Sequence, residues 1–103
     1  MTKIKLCGMM SQEDIIAANN LNPEFVGFVF WEKSHRNLTG EKAMELKAIL
    51  NKSIKAVGVF VDADIDYVIN LYDKGIIDMA QLHGSEGESY IDKLKDRKST
   101  RLN

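Results

Sequence analysis

The 103-residue chain carries 14 Lys/Arg against 15 Asp/Glu, and a formal net charge of −1 gives no electrostatic reason to expect a nucleic-acid or membrane-surface partner. With 45% hydrophobic and 28% charged residues it has the composition of one globular domain with a modest core. A single cysteine excludes an internal disulfide framework and suits a reducing cytoplasm, and no apolar run approaches the ~20 residues of a membrane-spanning helix or forms a secretory signal.

Four apolar, β-branched-rich runs are expected as strands, at 3–7, 25–30, 54–61 and 77–83. Each is followed by a stretch with helical periodicity. After the first run, Ser11 is a good N-cap, Glu13 and Asp14 suit the helix dipole, and Ile15, Ile16 and Ala18 supply an apolar side. After the second, Thr39 caps a helix whose inward residues are Ala43, Leu46, Ile49 and Leu50. After the third, Ile65, Val68, Ile69 and Tyr72 fall at i, i+3, i+4 and i+7, the cleanest amphipathic pattern in the chain. After the fourth, Ser85 is the expected cap of a helix turning Tyr90, Ile91 and Leu94 inward.

The fold class is therefore α/β, with four consecutive βα units whose near-continuously apolar strands suit a parallel sheet. Two architectures fit: a small open doubly wound sheet, or half of an eight-stranded β/α barrel, since a complete barrel needs at least ~200 residues. Residues 1–95 are expected to form this domain and 96–103 a polar basic tail. The closing run D-K-L-K-D-R-K-S-T-R-L-N has five Lys/Arg, two Asp and little apolar content. It can finish a helix but is not expected to begin a fifth buried strand.

Polar groups and glycines cluster just after each strand: Cys7–Gly8, then Lys33, Ser34, His35 and Arg36, then Asp62, then His83 and Gly84. In β/α folds the C-terminal strand ends face the ligand, so these clusters converge on one mouth. Cys7 is either a small packed side chain or a thiolate able to act as base or nucleophile. Arg36 is either a solvated surface group or a fork for a carboxylate or phosphate. His83 ends an apolar strand, where a hydrogen-bonded structural role competes with a site role. Asp62, Asp64 and Asp66 start like a calcium loop, but Tyr67 stands where glycine is needed and Asp73 where glutamate is needed. Capping and dipole matching account for these acids better. One cysteine and two distant histidines make a zinc site unexpected, and no Gly-rich phosphate loop is present.

Taken together, K-I-K-L-C-G, G-F-V-F-x-x-K-S-x-R, V-G-V-F-V and Q-L-H-G, in that order, resemble phosphoribosylanthranilate isomerase. The resemblance runs from about Lys3 to about Leu94, which corresponds to the first half of that family's (β/α)8 barrel. It implies a cytoplasmic enzyme of tryptophan biosynthesis that needs no cofactor or metal. The implied reaction is the Amadori rearrangement of N-(5-phosphoribosyl)anthranilate to 1-(2-carboxyphenylamino)-1-deoxyribulose 5-phosphate. Cys7 takes the place of the family's general base, Arg36 that of a substrate-holding residue, and His83 that of a supporting, site-lining residue.

The sequence departs from the family pattern in two ways. His35 stands where the family commonly has proline, which removes a φ restraint from the Arg36 loop. The family's general acid and its phosphate-binding loops belong to later strands. The expectation is a truncated chain, inactive alone, whose last residues are not native and whose first and fourth strands offer open edges for self-association. A small, non-catalytic α/β module that binds phosphate esters is the alternative.

Overall fold

The computed structural model describes residues 5–82, 84, 87–97 and 101–102. The order is β1 (Lys5–Leu6), α1 (Gln12–Leu21), β2 (Phe25–Val29), α2 (Gly40–Ile49), β3 (Lys55–Phe60), α3 (Ile65–Asp73), β4 (Met79–Leu82), α4 (Glu88–Arg97) and β5 (Arg101–Leu102). All strands pair in parallel in the order β1-β2-β3-β4-β5. A doubly wound sheet would reverse its strand order at a switch point. Here each strand lies beside its predecessor, and right-handed crossovers then place every helix on the same side. The half-barrel arrangement is the one the chain adopts.

The caps form as the sequence predicts. The Asp14 N–H donates to Ser11 Oγ at 3.2 Å and the Ser11 N–H returns the bond to Asp14 Oδ2 at 3.2 Å, a complete capping box. The Lys42 N–H donates to Thr39 Oγ1, and the Asp66 N–H to Asp64 Oδ1, so two of the expected caps and one of the three acids are accounted for. Ser85 and His83 lie outside the described residues.

Two predicted inward residues are not inward. Ile16 is 55% exposed, because Ile15 and Ala18 already define the buried stripe of α1 and their neighbour is rotated about 100° away. Ile49 is 42% exposed: α2 ends there, and the extended Leu50 turns into the core in its place. A third difference is β5. The tail finishes α4 as expected, but Arg101 and Leu102 then pair with Met79 and Ala80. Backbone pairing satisfies N–H and C=O groups whatever the side chains are. Composition therefore gave no sign of it, and the expected open edge of β4 is partly covered.

Cα partnering separates the two faces of the sheet. Val26, Phe28, Ala56, Gly58, Phe60, Ala80 and Leu82 share one face; Phe25, Gly27, Val29, Lys55, Val57, Val59, Met79 and Gln81 share the other. The first face meets Ile15 and Ala18 of α1, Ala43 and Leu46 of α2, and Val68, Ile69 and Leu71 of α3 in one continuous core. Burying a side chain such as Phe28 or Phe60 there stabilises the fold by about 1.5–3 kcal/mol each. On the second face Val57 is buried, while Phe25, Val29, Val59, Met79 and Gln81 are half-buried and none joins that core.

Two polar staples lock the layers. Asn19 of α1 donates to the Ile49 carbonyl at 2.9 Å and accepts from the Asn51 N–H at 2.8 Å, closing the C-terminus of α2 from a neighbouring helix. Asp78 Oδ2 accepts from Lys47 Nζ at 2.7 Å and from the Ala56 N–H at 2.8 Å, joining α2, β3 and the start of β4. Replacing Asp78 with alanine strands a part-buried N–H and an ammonium together. The expected loss is about 2–3 kcal/mol, read as a lower guanidinium midpoint with an unchanged m-value.

Candidate active site

The strand ends deliver Cys7 and Arg36 to the same place, and glycine is the reason. β1 stops at Leu6, and Gly8, at φ +76°, turns the chain away through a conformation that L side chains rarely adopt. The Gly8 and Met9 N–H groups both donate to the Gly27 carbonyl, at 3.0 and 3.1 Å, which pins this turn to the middle of β2. The absent Cβ of Gly8 leaves the space that Arg36 fills. A β-carbon there would lie 2.9 Å from Nη1 and 3.2 Å from Nε, and closer still to Cδ.

Cys7 is exposed and sits over β2. A β-carbon on Gly27 would stand 3.0 Å from the Cys7 sulfur and 3.2 Å from its Cα, so this in-strand glycine makes room for the thiol. The packed-side-chain reading of Cys7 does not hold, since its side chain is not buried.

The loop carrying Arg36 is tightly built although His35 replaces the restraining proline. The Ser34 N–H donates to the Trp31 carbonyl at 2.9 Å, the Asn37 N–H to the Ser34 carbonyl at 3.2 Å, and the Arg36 N–H to Ser34 Oγ at 3.1 Å. The Leu38 N–H then returns to the Val29 carbonyl at 2.8 Å. Ser34 supplies locally the order that a fixed φ would otherwise provide.

Asp62 ends the third strand at φ +50°, a conformation aspartate tolerates better than most residues. Its role is not capping. A β-carbon on Gly84 would come within 2.6 Å of Asp62 Oδ1 and 2.7 Å of its backbone nitrogen, so the turn after β4 passes against Asp62 only because residue 84 is glycine. His83, one residue earlier, lies outside the described residues.

Beside this mouth a cavity of about 460 Å³ opens between the β2–α2 and β3–α3 loops, lined by Phe30, Glu32, Leu38, Asp62, Asp64 and Tyr67 among others. Neither Cys7 nor Arg36 lines it. Phe30 stacks on Phe60 with ring centroids 5.3 Å apart, and Tyr67 packs edge-on against both. Burial pushes the Tyr67 phenol above its ordinary value, so it remains a neutral donor across physiological pH.

Sequence reasoning found Cys7 and Arg36 but not what joins them. The signals were present: a glycine directly after the cysteine, and a glycine interrupting the F-V-G-F-V strand. Pairing either glycine with its partner required the register of β1 on β2.

Residues 4–102 match the family model for N-(5'-phosphoribosyl)anthranilate (PRA) isomerase. The chain is 50% identical over 95 residues to the N-(5'-phosphoribosyl)anthranilate isomerase of Clostridium acetobutylicum, covering 92% of this chain and 46% of that protein. It is 43% identical over 96 residues to the corresponding isomerase of Thermoanaerobacter sp., covering 93% and 47%. Among solved structures, the phosphoribosyl anthranilate isomerase of Thermotoga maritima superposes with a TM-score of 0.87 at 30% identity, over 94% of this chain and 47% of the other. One phosphoribosyl anthranilate isomerase of equal similarity is solved in complex with reduced 1-(o-carboxyphenylamino)-1-deoxyribulose 5-phosphate. The chain thus spans about half the length of the curated relatives it matches.

Proposed function

This chain belongs to the N-(5'-phosphoribosyl)anthranilate isomerase family, and we propose from that membership that it supplies the base-bearing half of an isomerase active site. The observation that carries the reading is the contact between Gly8 and Arg36, which sets a guanidinium beside an exposed thiol at adjoining strand ends. The ligand is a phosphoribosyl ester of anthranilate. Arg36 holds the anthranilate carboxylate through its planar fork, and His83 lines the site. Once the ribose ring has opened to the Schiff base, the Cys7 thiolate takes the C2′ proton, and the electron pair moves into the enolamine that relaxes to the ketone. The acid that opens the ring and the phosphate cradle come from strands beyond those described.

A phosphate-ester-binding module without catalysis draws no support from the 460 Å³ cavity. Its charged lining is Glu32, Asp62 and Asp64, all of which repel a phosphate. Cytoplasmic location follows from the pathway, and self-association through the outer edges of β1 and β5 is a competing fate of the same surfaces.

The test compares two proteins. The purified chain is expected to give no turnover of N-(5'-phosphoribosyl)anthranilate. A single-chain chimera is expected to turn over; it joins residues 1–94 to the part of the Clostridium acetobutylicum isomerase that this chain does not match. A chimera that melts cooperatively yet is inactive would refute the reading.

A further inference from the structure

We propose that the helix-free face of the sheet is a docking surface for the second half of an isomerase of this family, a βα half-barrel carrying a carboxylate opposite Lys55. Purely parallel sheets occur with both faces covered, and here the helices cover one. Phe25, Val29, Val59 and Met79 stand half-buried on the other, outside the core that the helices close. The outer edges of β1 and β5 flank this face.

Three observations select the occupant. The sheet superposes on half of a closed barrel with a TM-score of 0.87, so its curvature already fits the complementary strands. The matched relatives extend over about as much chain again as this one provides. The alternative, a second copy, would bring ten strands to a barrel of eight and set Lys55 across the floor from its own counterpart. Lys55 is exposed, on the bare face beside Phe25, so an incoming carboxylate at that layer satisfies it while an incoming ammonium repels it. The first strand of the partner takes over the position that β5 holds with only two residues.

This surface belongs to the reading above in what the complex does, but complex formation is tested separately. The tagged chain is co-expressed with the untagged, unmatched part of the Clostridium acetobutylicum isomerase, and the product is weighed by light scattering. A soluble one-to-one complex is expected. Val59→Lys and Met79→Lys should each weaken it by at least ~100-fold, since each buries an unpaired charge. Lys55→Glu should weaken it less, and Ile49→Lys, on the helix surface, should leave it unchanged. Three outcomes overturn the proposal: a folded monomer that captures no partner, aggregation of both halves on co-expression, or a homodimer broken by the same face substitutions. A complex that forms but gives no turnover leaves the docking surface standing and counts against the catalytic reading.

Discussion

Replacing Cys7 with alanine in the 1–94 chimera is expected to lower kcat by ~10²–10⁴-fold, with a smaller effect on KM. The reason is positional. Cys7 sits at the end of β1 over Gly27, and an exposed thiol there makes no contribution to the helix-side core. Loss of its sulfur should therefore leave the thermal midpoint almost unmoved while removing the proton acceptor. Arg36→Ala should show the opposite division, raising KM more than it lowers kcat, because a carboxylate fork acts in ground-state binding as well as in the transition state. A Cys7→Ala chimera retaining more than a tenth of the parent kcat would assign the base to another group.

Gly8→Ala is expected to damage both folding and the site. At φ +76° an L side chain costs about 1–2 kcal/mol of backbone strain, which lowers the midpoint of a domain of this size by roughly 4–8 °C per kcal/mol. The new methyl also occupies the place of the Arg36 side chain, so the guanidinium must move. A displacement on the order of 1 Å is enough to cost ~10²-fold in rate. Gly75 provides the internal control: its φ is +73°, but nothing lies within 4 Å of its missing β-carbon. Gly75→Ala should carry the strain alone. Differential scanning calorimetry and turnover of the two chimeras separate the terms. Equal effects on turnover would show that the Gly8–Arg36 contact has no functional weight.

Much of the fold was legible because local rules and tertiary packing agree. The caps at Ser11, Thr39 and Asp64 are set within four residues of each helix start, a range that short-range hydrogen bonding decides. The α3 pattern, with Val68 and Ile69 buried, follows from a 3.6-residue period that any covering sheet would exploit. The misplacements at Ile16 and Ile49 have a common cause. An apolar residue at the border of a stripe is buried or not according to where the neighbouring element ends, and α2 ends at Ile49.

The sequence by itself determined the βα repeat, the parallel sheet, the strand-end position of Cys7 and Arg36, and the family. These depend on order, periodicity and motif, all of which are written along one chain. The tertiary structure decided the choice of half-barrel over doubly wound sheet, the two-residue β5, the clamp of Asp62 on Gly84 and the seating of Arg36 in the space left by Gly8. Each of these depends on which residues meet across strands far apart in sequence, and a missing β-carbon acquires meaning only when the group that fills its place is known.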